Sequence, residues 1–241
     1  MVRNRLILFM FFLFVVNRVY GTDDTYRFDW SPNGDYLAMS VFNVSNYDGI
    51  RVYSFDRTTN SLTITDSLHY GHANVWTVKW HPDGNYLAVG GRSEGVKIYS
   101  FSGSTGKFSQ TAPVATGSYG GSTSDVWEVS WTSTGGYLAV GGGGSPSGDF
   151  GSNELGIYRF DNGTSLVVTD SRDVPYVSAT NVVRSLEWKD DNYLFLGGQV
   201  TSYELGDIIV YKFRDGKFIG GSPLSYKEGG TVICSISLHP E

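Results

Sequence analysis

The chain has 241 residues, 40% of them apolar and 17% charged, which excludes a disordered polymer and allows a sizeable core. Its 31 glycines and 15% aromatics favour many short strands with tight turns over helices. A formal net charge of −6 argues against nucleic acid or an anionic membrane as partner, and Cys234, the sole cysteine, excludes an internal disulfide.

Residues 1–21 differ from the rest. Arg3 and Arg5 precede the apolar run LILFMFFLFVV at 6–16, and Val19 and Gly21 stand at the −3 and −1 places of a cut before Thr22. That order is the pattern of a secretory signal peptide. Eleven apolar residues rise only about 16 Å as a helix, short of a bilayer core of about 30 Å, so no stable membrane span is expected after cleavage. The mature chain, exported to the outside or to a periplasm, would carry 15 basic against 24 acidic residues.

From residue 25 onward one unit recurs. WSPNGDYLAMS begins at Trp30, WHPDGNYLAVGG at Trp80, WTSTGGYLAVGG at Trp131 and WKDDNYLFLGG at Trp188, at spacings of 50, 51 and 57 residues. A further start, ICSISLHPE, places Leu238 another 50 residues on. Such a period marks a repeat architecture. Each unit reads as four strands. An apolar strand such as VWTVKW ends at the tryptophan, and a Pro-Asp-Gly turn leads into YLAVGG. A third strand such as GVKIYSF follows, and a fourth such as NSLTITDSL or TSLVVTDSR completes the unit. In the turn, Pro at the second place and Gly at the fourth suit type I geometry. Four strands per period is the pattern of a propeller blade.

WHPDGNYLAVGGRSEGVKIYSF resembles a WD-repeat blade, and the resemblance spans about residues 25 to 241. It departs from the family where the closing Trp-Asp pair is replaced by Tyr53, Tyr99, Tyr158 and Tyr211, and the Gly-His opening occurs once, at Gly71-His72. The family's Asp–His–Ser/Thr–Trp hydrogen-bond network is therefore expected to be missing or incomplete, with blades held mainly by apolar packing. The expected fold is an all-β propeller over 22–241, with blades starting near 25, 75, 126 and 183 and the first strand of a fifth at 231. Four and a fraction is an awkward count. A truncated product, closure by self-association through open edges, or an irregular four- or five-bladed ring would each account for it.

In a four-stranded meander the B–C and D–A loops share one end. The step from tryptophan to the next blade-B tyrosine is 6, 6, 6 and 5 residues, whereas from tryptophan to the third-strand tyrosine it is 23, 19, 27 and 23. From that tyrosine to the next blade start it is 27, 32, 30 and 27. Variation thus collects on the B–C/D–A face, where binding groups on a rigid frame are expected. The Gly/Ser-rich 141–154 stretch reads as a flexible loop. Four residues before each tryptophan stand Tyr26, Trp76, Trp127 and Arg184, with Cys234 at the fifth place. If the family's bulged inner strand carries over, these side chains gather at the channel mouth as a partner-binding cluster, since Tyr, Trp and Arg are hot-spot types. Strict alternation would instead bury them between blades.

No catalytic residues, metal ligands or cofactor are expected: the histidines at 69, 72, 81 and 239 are scattered, and the glycine doublets end strands instead of opening helices. Sequons at Asn43 and Asn162 matter only in a eukaryotic host. The expected function is a secreted, non-catalytic scaffold holding a protein partner on the variable-loop face. The alternatives are a secreted lactonase- or hydrolase-like propeller enzyme, and a fragment without independent function.

Overall fold

The computed structural model describes residues 24–42, 48–70, 74–120, 124–143, 148–161, 163–174, 182–199, 208–226, 233 and 235–237. Residues 1–21, read above as an export signal, Cys234 and both sequon asparagines lie outside the described residues. Among the described residues there is no helix, hence none long and apolar enough to cross a membrane.

Seventeen strands form four antiparallel blades. Blade 1 is β1 (Asp24–Trp30), β2 (Tyr36–Phe42), β3 (Asp48–Asp56) and β4 (Ser61–His69). Blade 2 is β5 (Val75–Trp80), β6 (Tyr86–Gly91), β7 (Val96–Ser102) and an outer strand split into β8 (Lys107–Phe108) and β9 (Ala115–Gly117). The split surrounds Pro113, which cannot donate to a ladder. Blade 3 is β10 (Asp125–Trp131), β11 (Tyr137–Gly143), β12 (Leu155–Asp161) and β13 (Ser165–Arg172). Blade 4 is β14 (Val182–Lys189), β15 (Tyr193–Gln199), β16 (Ile208–Arg214) and β17 (Lys217–Tyr226), tied to blade 3 by one bridge, Gly143 to Val182. The inner strands β1, β5, β10 and β14 stand side by side in that order.

The expected turns form. Gly34, Gly84 and Gly135 each donate their N–H to the carbonyl three residues back and take φ of 71°, 76° and 72°. Blade 4 is one residue shorter there. Asp190 and Asp191 both take φ of 52°, and Asn192 N–H bonds Lys189 C=O, which is a type I′ hairpin.

Two contacts repeat at each of the three junctions between the four blades, and a third follows blades 2, 3 and 4. The indole N–H groups of Trp80, Trp131 and Trp188 donate to the backbone carbonyls of Asp29, Lys79 and Ser130 on the preceding inner strand, at 3.1, 3.3 and 3.0 Å. Tyr36, Tyr86 and Tyr137, which open the second strands, meet Phe101, Phe160 and Phe213 of the next blade edge-on at 5.0, 5.1 and 5.2 Å. Each of those phenylalanines also packs on its own blade's tryptophan. The third contact explains the glycine doublets. Val126 and Val183 occupy the space where Gly90 and Gly141 would carry a Cβ, and Ile233 does the same at Gly197. Ile233 also donates its N–H to Gly198 C=O at 3.1 Å, and Ile236 N–H donates to the Ser185 hydroxyl at 2.7 Å. Residues 233 and 235–237 thus lie in the register of a fifth inner strand, giving four blades and part of another.

The third-strand tyrosines stand where the family carries its Trp-Asp pair. Tyr99 and Tyr158 are buried, and the Tyr158 hydroxyl donates to Asp149 at 2.7 Å. Asp66 and Asp170 of two outer strands accept the Phe108 and Phe218 N–H groups of the next blade at 2.9 and 2.8 Å. The 141–154 stretch corrects a sequence expectation in its described half. Phe150 is buried against Tyr158 at 4.6 Å, and Asp149 exchanges hydrogen bonds with the Ser118 backbone, so 148–154 is packed structure.

A methyl group at Gly141 meets Val183 and Leu186 of the next blade, whereas one at Gly103 meets open space. Gly141→Ala is expected to cost about 1–3 kcal/mol of overpacking, and Gly103→Ala is expected to leave denaturant unfolding unchanged. Equal midpoints for the two variants would contradict this account of the doublets.

Candidate functional site

Each inner strand carries an irregularity at the place of the candidate residues. Pairing to the second strand shifts between Val75 and Thr77, between Val126 and Glu128, and between Val183 and Ser185. Trp76, Trp127 and Arg184 are therefore the extra residues of β-bulges, which bend a strand and re-aim its side chains. In blade 1 the shift spans Thr25 to Phe28, and the Tyr26 side chain lies outside the described residues. Alternation resumes beyond the bulge, so the valine before it and the tryptophan at the strand end both pack against the preceding blade.

The three described side chains come together. The Trp76 and Trp127 rings stack with centroids 4.8 Å apart and planes 23° apart. The Arg184 guanidinium carbon lies 4.5 Å from the centre of the Trp127 ring. Because blades 2, 3 and 4 follow one another around the axis, Trp127 stands between the other two. All three are only half-buried. They sit where the inner strands begin, at the end carrying the B–C and D–A loops. There Ser93 N–H donates to Ser124 C=O at 2.9 Å, and Arg92 bridges to Asp125. Burial pushes the Asp125 carboxyl up, opposed by the Arg92 charge and by the Trp76 indole N–H beside it.

Deeper in the channel lies a cavity of about 260 Å³ that sequence reasoning missed. Arg27, Lys79, Glu128, Ser185, Glu187 and Ser235 contribute its polar wall, with Phe28, Val78, Leu186 and Ile236 between them. Arg27 of blade 1 reaches Glu128 of blade 3 at 3.3 Å, and the Thr77 hydroxyl donates to Glu128 at 2.8 Å. Asp29 accepts the Trp80 backbone N–H at 2.8 Å and faces Lys79 at 3.6 Å. Burial raises Asp29, Glu128 and Glu187 above their ordinary carboxyl values, Lys79 opposing in each case. Lys79, which burial alone would push down, is held up by those same carboxylates. The signal was present in the sequence as charges inside otherwise apolar strands, in YRFDW, WTVKW, WEVSW and RSLEW. Phe28 is 62% exposed where its counterparts Val78, Val129 and Leu186 are buried, so the face each blade turns to its predecessor is open at blade 1.

Among the described residues no three His, Cys, Asp or Glu side chains are grouped to hold a metal ion. His81 is structural: its Nε2 lies 3.1 Å from Gly135 C=O and its ring packs on Trp131.

Residues 63–100 match the model of the WD domain, G-beta repeat. A 74-residue stretch is 34% identical to UBP9-binding protein bun62 of Schizosaccharomyces pombe, covering 31% of this chain and 12% of that protein. The chain is a β-propeller that carries a WD-type repeat at residues 63–100. Solved structures agree on the fold. Sqt1 from Chaetomium thermophilum superposes with a TM-score of 0.57 at 17% identity, covering 83% of this chain and 46% of that one. A Lactobacillus plantarum protein gives 0.61 at 15%, covering 86% and 57%. The periplasmic gluconolactonase PpgL of Pseudomonas aeruginosa gives 0.58 at 12%, covering 82% and 56%. The chain spans about an eighth of the curated relative and roughly half of the solved chains.

The channel carboxylates imply a pH dependence with a definite sign. A carboxyl raised in the folded state holds its proton where the unfolded chain has lost it, so stability falls as pH rises through the window just above ordinary carboxyl values. The thermal midpoint is expected to rise on acidification from neutral into that window, and Glu128→Gln, which still accepts from Thr77, is expected to flatten the rise. Calorimetry across that window checks it; a variant with an unchanged slope removes Glu128 from the account.

Proposed function

We propose that this propeller is a secreted, non-catalytic protein-interaction scaffold that holds its partner on the B–C/D–A face. The observation that carries this reading is the stack of Trp76, Trp127 and Arg184 at the channel mouth. These residues belong to none of the three repeated contacts between blades, yet they bring hot-spot side chains from three blades to one half-exposed spot. Support comes from the WD-repeat match and from a relative whose name records binding to another protein. The export part of the proposal rests on residues 1–21.

The cavity favours a second reading, a propeller enzyme. Carboxyl groups held high in a cleft are the kind used for acid–base chemistry, and a gluconolactonase is among the fold's solved neighbours. Under that reading Glu187→Gln would abolish lactone hydrolysis by the purified protein; absence of any such hydrolysis in the unmutated chain leaves the scaffold alone.

Selection of a displayed random-peptide library on the purified protein tests the scaffold. Enriched peptides are expected to lose at least about tenfold in affinity, about 1.4 kcal/mol, with Trp127→Ala. Arg57→Ala is expected to change nothing, because Arg57 pairs with Asp35 at a turn on the opposite end. A folded Trp127→Ala protein that binds as well as the unmutated chain overturns the proposed face.

A further inference from the structure

Arg184 differs from four other half-buried cations. Arg27, Lys79, Lys97 and Arg172 each face a carboxylate within 2.7 to 3.6 Å. Arg184 has no carboxylate partner among the described residues, and its Nε is buried without an acceptor. Its guanidinium is instead held against Trp127. The ring offers no acceptor in the plane of the guanidinium, whose fork of N–H donors matches a carboxylate. A side chain already fixed on a ring loses less entropy when it captures a ligand.

From this geometry we propose that the channel mouth recognises a carboxylate on a peptide partner, with Arg184 as its counter-charge and Trp127 as its support. The proposal rests on the scaffold reading above and names the partner chemistry for the same site. The distribution of charge along the stack sets the ligand's direction. At the Trp76 end the Arg92 charge already has the Asp125 carboxyl beside it, so an incoming acid finds its uncompensated cation at the Arg184 end. The chain's net charge of −6 disfavours a doubly charged phosphate more than a single carboxylate, and one fork suffices for one carboxylate. The flanking indoles would cover the neighbouring apolar part of the same peptide.

The test starts from peptides selected on the full chain from a random library. Each is resynthesised with its acidic residue as Glu, as Gln and as phosphoserine, and binding is followed by tryptophan fluorescence. The Glu form is expected to bind at least about tenfold more tightly than the Gln form, as a charge-assisted pair requires. Arg184→Gln is expected to erase that difference while leaving the Gln form unchanged, and Arg184→Lys, which keeps the charge but not the fork, is expected to recover only part of it. Selected peptides without an acid, equal binding of Glu and Gln forms, equal weakening of both by Arg184→Gln, or tighter binding of phosphoserine would overturn the carboxylate assignment while Trp127 dependence keeps the scaffold. A library that yields no binder overturns both.

Discussion

The structure depends on the tie between each blade's tryptophan and the inner strand before it. A buried indole has one donor, and leaving it unpaired in a blade interface would cost on the order of 1–3 kcal/mol. Trp80, Trp131 and Trp188 each satisfy it on a carbonyl of the previous innermost strand. That strand lies against the channel, where its own sheet pairs it on one side only, so its outward carbonyls need partners from elsewhere. One bond therefore answers two needs, and it sets how far apart neighbouring inner strands can stand. The Tyr–Phe contacts beside each tryptophan then act as a second point of registration, each contributing about 0.5–1.5 kcal/mol beyond burial.

With tryptophan fixing one end of the inner strand and a valine seated over a glycine fixing the other, the strand must fit its side chains between two set points. The bulge at Trp76, Trp127 and Arg184 takes up the odd residue. Without it, the valine and the tryptophan, five positions apart, would face opposite sides. With it, both face the preceding blade, and the residue at the bulge is released from the interface. The mouth cluster is thus a consequence of how blades are joined. Its side chains are free to vary because the packing scheme makes no use of them, and their being Trp, Trp and Arg calls for a reason other than packing.

The repeat, the four-stranded blade and the Pro-Asp-Gly turns were legible because each has a local signature: a period, an alternation and a glycine at the fourth turn place. The gathering of Trp76, Trp127 and Arg184 was legible only through the family resemblance, since simple alternation predicts burial and a bulge leaves no mark in one strand's sequence. The charged channel was missed for a related reason. Arg27 and Glu128 meet across 101 positions, and nothing near either residue announces the other. The type I′ hairpin at Asp190-Asp191 was visible only as a missing residue, and the packing of Phe150 was hidden inside a stretch whose composition reads as flexible.

Electrostatics connects the two levels of the channel. Lys79 stands among Asp29, Glu128 and Glu187, so the deep level keeps an excess of carboxyl groups that burial already disfavours in ionised form. A cation nearer solvent is the natural counterweight, and Arg184 at the mouth, backed by an aromatic ring instead of an acid, is placed to act as one without collapsing into an internal ion pair. The Trp127 ring holds the guanidinium where no carboxylate of a described neighbouring strand pairs with it. An arginine held by π-stacking retains its capacity for an external anion, which an arginine held by a carboxylate does not.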